Sequence, residues 1–380
     1  MTTAQLSPAE PHAPQKRTGT RVWLLVLIAI IAAAVWYSIA YERTPRVVLI
    51  TSGDGPYWDP VIQGAQDAAK EFDVKLEVER IKSDPYVQAD VIKKRMAERG
   101  LDGIAISPLN ASIQANLLAD AAANKTLVTL DSDAPVTGRL LFVGTDNYAA
   151  GRAAGENVKA ALPDGGEVII CLGNPDKENT QHRRQGVIDE LLDRDEQPTR
   201  TPDALDKPVK GEKYTIVTTL VDESNPEKAT QLAADALKAN ANVKCFVGLL
   251  GYSAPAICAA LDQAGKAGQV KVVGFDVSKA TEELVDKGTI YATIMQDQYG
   301  CGFHAVRVLA DRAKGIKGGL PLFQVHALGY QSIRKDNLAD AQMKRQHPMS
   351  PAVPDAAPAG AEVQPAAAEA PTTAPTAPTS

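Results

Sequence analysis

The chain has little that could read a nucleic acid, hold a metal or carry out redox chemistry. Aromatic residues are 5% of its 380 residues, and 46 Asp and Glu outnumber 40 Lys and Arg, for a formal net charge of -6. Without a basic excess a phosphate backbone finds no electrostatic partner, so nucleic acid is not an expected ligand. Only Cys171, Cys245, Cys258 and Cys301 occur, with no C-x-x-C pair and no His at metal-ligand spacing from any of them. No metal site is expected. The thiols read as small buried apolar groups, with a Cys245–Cys258 disulfide left open. Where a dinucleotide site would need G-x-G-x-x-G, the chain reads Thr51-Ser52-Gly53-Asp54-Gly55-Pro56. There is no P-loop and no G-x-S-x-G elbow, and the five histidines (His12, His182, His304, His326, His347) form no relay. No cofactor and no enzymatic activity are expected.

What is present is a chain 44% hydrophobic and 23% charged, the balance of a globular protein with polar appendages. At about 100–200 residues per domain, two domains are expected. Residues 22–40, VWLLVLIAIIAAAVWYSIA, carry no charge. As a helix this run spans roughly 28 Å at ~1.5 Å per residue, enough for a bilayer. Lys16, Arg17 and Arg21 precede it, and Trp23, Trp36, Tyr37 and Tyr41 flank it as interfacial aromatics do. That pattern puts residues 1–21 in the cytoplasm and the rest on the periplasmic, extracytoplasmic face. Ser38-Ile39-Ala40 also fits a small-x-small cleavage site. The run is thus either a retained inner-membrane anchor or a signal sequence cleaved before secretion. Residues 347–380, rich in Ala, Pro and Thr, cannot bury enough apolar surface to fold and are expected to be disordered.

Between residues 46 and 335 strand and helix patterns alternate. Strand-type runs stand at 46–51, 75–81, 101–107, 126–131 and 140–144, then at 167–173, 214–221, 243–250, 270–276 and 289–296, with a last strand over 322–332. Asp59-Pro60 is expected to open a helix with Asp as N-cap and Pro in the first turn, and Asn225-Pro226 repeats the device. Residues 194–213, with Pro198, Pro202 and Pro208, read as a surface loop. Strands alternating with helices of ten or more residues imply parallel sheets with right-handed crossovers. The expected fold is α/β, with two similar Rossmann-like lobes.

In open α/β sheets ligands bind at the carboxyl ends of the strands. The chain sets Asp54, Ser107, Asp131, Asn174, Asp222, Asp276 and Gln296 there. Asp131 and Asp276 each end an apolar run, one in each half. Carboxylates accept hydroxyl donors in charge-assisted bonds, and Gln296 can donate and accept at once. Arg183 offers a planar donor fork. Tyr57 and Trp58 suit the apolar face of a sugar ring, although Trp58 also suits a core. Of the adjacent Arg183 and Arg184, one at most is expected to face the cleft, leaving the other solvated. Asp54 and Asp133 fit a solvated loop equally well. Asp146 and Asn147 read as helix caps, and Ser278 competes with Asp276 for capping the helix that follows.

Several short segments, in this order and spacing, resemble the type I periplasmic binding proteins, in particular the ribose-binding-like branch. They are Gly55-Pro56-Tyr57-Trp58 with Gly64-Ala65; Leu130-Asp131-Ser132-Asp133-Ala134-Pro135; Val143-Gly144-Thr145-Asp146-Asn147 with Gly151 and Gly155; Arg183-Arg184-Gln185-Gly186; Gly274-Phe275-Asp276; and Gly288-Thr289-Ile290-Tyr291-Ala292-Thr293 leading to Gln296. The likeness covers residues 46–332. It implies two lobes joined by a three-strand hinge, with crossovers near 145–147, 296–299 and 325–328. Lobe one would take 46–146 plus 298–325, and lobe two 147–297 plus 326–335. It implies stacking from Tyr57 and Trp58 and hydrogen bonds from Asp131, Arg183, Asp276 and Gln296. Asp54, Ser132, Asp133, Asp222 and Leu250 are further candidates. Ribose binders usually carry Arg where Ser132 stands, Asn where Gly55 stands, and a polar Asn-Asp in the region of Leu250-Gly251. The implied pocket has fewer donors and more apolar lining, which suits another sugar, a polyol or a less polar ligand.

The function implied is that of a monomeric, extracytoplasmic solute-binding protein. It would capture a sugar or polyol and deliver it to the permease of an ABC importer, with residues 22–40 as its contact with the membrane. A membrane-tethered sugar sensor signalling to a receptor or kinase partner is the alternative. An enzyme on a doubly wound fold ranks third.

Overall fold

The computed structural model describes residues 18–40, 43–321 and 323–346. The expectations for residues 1–17, for Tyr41 and for the tail 347–380 lie outside the described residues. The chain divides into two units, Met1–Thr44 and Pro45–Ser380.

In the first unit one helix, α1 (Thr18–Ala40), takes up the whole uncharged run. Its described side chains, 22–36, are exposed on every face of the helix. Among the described residues no helix is long and apolar enough to cross a membrane.

Among the described residues the second unit is built from thirteen strands and the remaining helices. In chain order they are β1 (Arg46–Ile50), α2 (Trp58–Glu71), β2 (Lys75–Glu79), α3 (Pro85–Met96), β3 (Gly103–Ile106), α4 (Ala115–Asn124), β4 (Thr126–Leu130) and β5 (Leu141–Thr145). There follow α5 (Asn147–Ala161), β6 (Gly166–Cys171), α6 (Glu178–Leu191), β7 (Val209–Lys210), β8 (Tyr214–Leu220), α7 (Pro226–Ala239), β9 (Val243–Gly248) and α8 (Ser253–Gln263). The last are β10 (Lys271–Phe275), α9 (Lys279–Asp286), β11 (Ala292–Gln296), α10 (Gln298–Ala313), β12 (Val325–Leu328), β13 (Tyr330–Ile333) and α11 (Leu338–Gln346).

Two sheets form, ordered β2-β1-β3-β4-β5-β12 and β7-β8-β6-β9-β10-β11-β13. The first is parallel throughout. The second is parallel except for its edges, where β7 runs against β8 and β13 against β11. Strands covered on both faces read as continuous apolar runs. Val47–Ile50 of β1 and most of β3, β4, β6, β9 and β10 are such runs, with almost no exposure. The α/β fold with two parallel-sheet lobes is thus present.

The chain crosses between the sheets three times: from β5 to α5, from β11 to α10, and from β12 through Gly329 to β13. The strand expected over 322–332 is therefore two strands, one in each sheet. Helix α10 packs Phe303, Val306 and Leu309 into the core of the first lobe after the second lobe has been traversed.

Other expectations are corrected in detail. Helix α2 starts at Trp58, because the carbonyls of Gly55 and Pro56 already accept the N–H groups of Trp58 and Asp59. Asp59 is therefore no N-cap; it pairs with Arg80 at 2.5 Å instead. Asn225 does cap α7, accepting from the Lys228 N–H with Pro226 next to it. The segment 194–213 contains the short strand β7 and is tied down by Asp203. All four cysteines are free and buried, so Cys245 and Cys258 are not bridged.

Candidate functional site

Asp131 and Asp276 follow β4 and β10 immediately, and both sit at positive φ, 61° and 64°. Non-glycine residues seldom adopt that region, and Asp is among those that tolerate it. Each backbone N–H is held by the neighbouring strand. Asp131 donates to the Val143 carbonyl at 3.2 Å and Asp276 to the Ile294 carbonyl at 2.7 Å. Val143 lies on β5 and Ile294 on β11, the strands that lead into two of the crossovers. The two acids thus occupy matching corners of the two lobes. Ser278 caps α9 by accepting the Thr281 N–H, which leaves the Asp276 carboxylate free for the cleft.

A single hydrogen-bonded network runs across the cleft. The Tyr57 hydroxyl donates to Asp131 Oδ1 at 2.8 Å, and the Ser107 hydroxyl donates to Oδ2 at 2.8 Å. From the second lobe, Lys177 Nζ donates to the same Oδ2 at 2.7 Å. The side-chain amides of Asn147 and Asn179 donate to the Asp131 backbone carbonyl, each at 3.4 Å. Arg183 Nε donates to Asn147 Oδ1 at 2.9 Å, Nη1 to the Leu249 carbonyl at 3.0 Å, and Nη2 to Gln296 Oε1 at 2.7 Å. Gln296 Nε2 donates in turn to Asp276 Oδ1 at 2.7 Å. The Arg183 guanidinium lies 4.6 Å from the centroid of the Phe275 ring. A backbone contact fixes its helix. A Cβ on Gly151 of α5 would lie 2.2 Å from the Arg183 carbonyl oxygen, so α5 and α6 touch main chain to main chain.

The two acids differ electrostatically. Burial pushes the Asp131 carboxyl up, but the Lys177 ammonium and Arg183 guanidinium outweigh it and hold the group below the ordinary carboxylate range. Burial dominates at Asp276, whose carboxyl is pushed up to about 6 despite Arg183 and Gln296. At neutral pH one acid is firmly ionised and the other is close to its titration point.

The six principal candidates come together, though in unequal roles. Tyr57 lies edge-on to Trp58, ring centroids 5.2 Å apart. Trp58 is buried in the core of the first lobe, 4% exposed, with Lys177 Nζ 6.0 Å from its ring centroid. Arg183 is fully buried and held by protein acceptors. Of the further candidates, Asp54 is exposed on the loop after β1. Ser132 is buried, and its hydroxyl has no hydrogen-bond partner. The Asp133 carboxylate is taken up by Arg139 at 2.5 Å and by the Thr129 hydroxyl at 2.6 Å. Asp222 accepts from the Tyr252 hydroxyl, and its Oδ2 is buried without a partner. Leu250 is half-buried, its side chain against Gly173.

Arg184 is not solvated as expected. It is buried and donates to the Thr219 hydroxyl and to the carbonyls of Asp203 and Ala204, anchoring the 194–213 segment. Lys177 and Asn179 join the site without having been singled out, and Cys301, read only as a buried thiol, joins it as well. Cys301 reaches it from α10, its thiol donating to the Val143 carbonyl at 3.3 Å. Of the two residues read as caps, Asp146 caps α5 by accepting the Ala149 N–H, whereas Asn147 caps nothing and turns its amide to Asp131 and Arg183; the length and path of the loop carrying Lys177 follow no periodicity.

Two parallel α/β lobes with a polar network at their facing strand ends define a binding protein that holds a small ligand between domains. The chain belongs to the periplasmic binding protein domain family, which matches residues 46–317. It is 24% identical over 311 residues to the D-allose-binding periplasmic protein of Escherichia coli (strain K12), covering 79% of this chain and 91% of that protein. It is 26% identical over 264 residues to the D-ribose/D-allose-binding protein of Pseudomonas aeruginosa, covering 66% and 77%. Among solved structures it is similar to GanP, a glucose-galactose binding protein from Geobacillus stearothermophilus. The TM-score is 0.69 at 27% identity, covering 78% of this chain and 99% of that one. The family is one of binding proteins, so the chain is a binding protein and not an enzyme.

Proposed function

We propose that the protein is an extracytoplasmic solute-binding protein that captures a sugar or related polyhydroxy compound between its lobes and delivers it to an ABC importer. The observation that carries this reading is the pair of strand-end acids, Asp131 and Asp276, facing each other from opposite lobes and linked through Asn147, Arg183 and Gln296. Carboxylates, a carboxamide and a tyrosine hydroxyl are the groups that recognise several hydroxyls at once. Relatives named for allose, ribose, glucose and galactose support a monosaccharide. The space between Tyr57, Asp131, Gln296 and Cys301 is too narrow for a water molecule. A sugar therefore enters when the lobes part about the three crossovers and is enclosed when they close.

The test is a thermal-shift screen of pentoses, hexoses and polyols on the purified full-length chain. A ligand at 100 times its Kd stabilises by about 2.7 kcal/mol, which such a screen resolves. A screen in which no sugar or polyol raises the melting temperature removes the reading. The binding unit acts as a monomer, and its site needs no second copy.

Residues 22–40 are read as the protein's contact with the membrane, as a retained anchor or as a cleaved signal sequence. Support comes from the uncharged run 22–40 and from its described side chains 22–36, apolar and exposed on every face, which an aqueous helix does not tolerate. The full-length chain is expected to stay with membranes through an alkaline carbonate wash. Release of a product beginning after Ala40 would identify a cleaved signal instead.

A further inference from the structure

Lys177 stands in the turn between β6 and α6 of the second lobe, at the N-cap position of α6, where its side chain caps nothing. It reaches across to the first lobe. Its ammonium is 2.7 Å from Asp131 Oδ2 and 6.0 Å from the Trp58 ring, with 10% of the side chain exposed. An ammonium carries three hydrogen-bond donors. Among the described residues, Asp131 is its one acceptor. Arg183, by contrast, has a protein acceptor on each of its three nitrogens and stacks on Phe275, so it positions Gln296 and Asn147.

On the first-lobe side, Tyr57 and Ser107 already donate to the two oxygens of Asp131. The acid is therefore an acceptor with limited spare capacity, next to a cation with donors to spare. A neutral sugar that places two neighbouring oxygens there can donate one hydroxyl hydrogen to Asp131 and accept from Lys177 with the other oxygen.

We propose that Lys177 is a specificity-determining ligand contact that donates to one sugar oxygen beside Asp131, so that the first-lobe half of the site is complete only when the second lobe closes on it. This rests on the sugar reading above. It predicts selection for one hydroxyl of the ligand, read by a charged donor that the second lobe supplies.

The test measures, by calorimetry on the full-length chain, the affinity of the best-bound neutral sugar and of each of its monodeoxy analogues, for the native protein and for Lys177→Met and Lys177→Arg. Lys177→Met is expected to weaken the parent sugar about 10–100-fold, the size of a hydrogen bond to a charged group. Discrimination against one deoxy position should collapse while the others persist, and Lys177→Arg should restore part of both. Should Lys177→Met fail to fold, Lys177→Gln carries the same comparison. Affinity unchanged or improved in Lys177→Met, or discrimination lost equally at every position, overturns the assignment and leaves the sugar reading standing. Absence of binding by any sugar to the native protein overturns both.

Discussion

At Asp276 the chemistry of one carboxyl sets how binding responds to pH. Its group titrates at about 6 because burial costs the ionised form more than Arg183 and Gln296 return. Hydroxyls donate to the ionised form, so sugar affinity should fall as pH is lowered through about 6. Calorimetry between pH 7.5 and 5 checks this; a flat profile removes Asp276 from the site. The effect on stability has the opposite sign. A carboxyl whose folded pKa is raised above its ordinary value of 3.8 holds its proton more tightly in the folded state. Its contribution therefore improves as pH falls through 6 towards 3.8, and at pH 7 the ionised group costs about 3 kcal/mol. Asp131 carries no such liability, since Lys177 and Arg183 keep it ionised. Both acids were legible in the sequence, because each ends an apolar run. Their inequality was not, because it depends on a lysine and an arginine brought in by folding.

At the scale of elements, the site depends on the packing of α5 on α6. A Cβ on Gly151 would stand 2.2 Å from the Arg183 carbonyl oxygen, and one on Gly186 would stand 2.2 Å from that of Tyr148. Backbone cannot give way as a flexible side chain can. Gly151→Ala is expected to destabilise the second lobe by about 1–3 kcal/mol, seen in chemical denaturation. It should also weaken sugar binding, because α6 carries Arg183 and begins next to Lys177. A variant with native stability and affinity would show that the helices can slide apart without cost. Most strands and helices were legible from their apolar periods. What failed was local competition: carbonyls of Gly55 and Pro56 displaced Asp59 as the cap of α2, and Gly329 split one expected strand between two sheets. Arg184 looked like a solvated neighbour of Arg183, yet it holds a distant loop through Asp203 and Ala204.

At the scale of the molecule, the first lobe is not a contiguous stretch of chain. Its core takes Tyr299, Phe303, Val306 and Leu309 from α10, and its sheet takes β12. A fragment of residues 45–146 therefore lacks one wall of its core and one strand. It is expected to show no cooperative thermal transition by circular dichroism, whereas the same fragment fused to residues 298–328 should recover one. A cooperative transition in the shorter fragment would mean that α2, α3 and α4 suffice to close that core. The same interleaving ties the two lobes through three crossovers, the arrangement by which lobes part and close about a ligand as rigid bodies.

The sequence by itself determined the alternation of strands and helices, the uncharged run 22–40, and the two acids at strand ends, because periodicity, charge and strand length are local properties. Tertiary structure decided what those acids face. Only the folded chain sets Lys177 of the second lobe against Asp131 of the first, joins Asp276 to Arg183 through Gln296, and withdraws Asp133 into a pair with Arg139. Partners 46 residues apart, in the case of Lys177 and Asp131, or 113, in the case of Arg183 and Gln296, meet because the crossovers bring the strand ends of two sheets face to face. No spacing along the chain encodes that meeting.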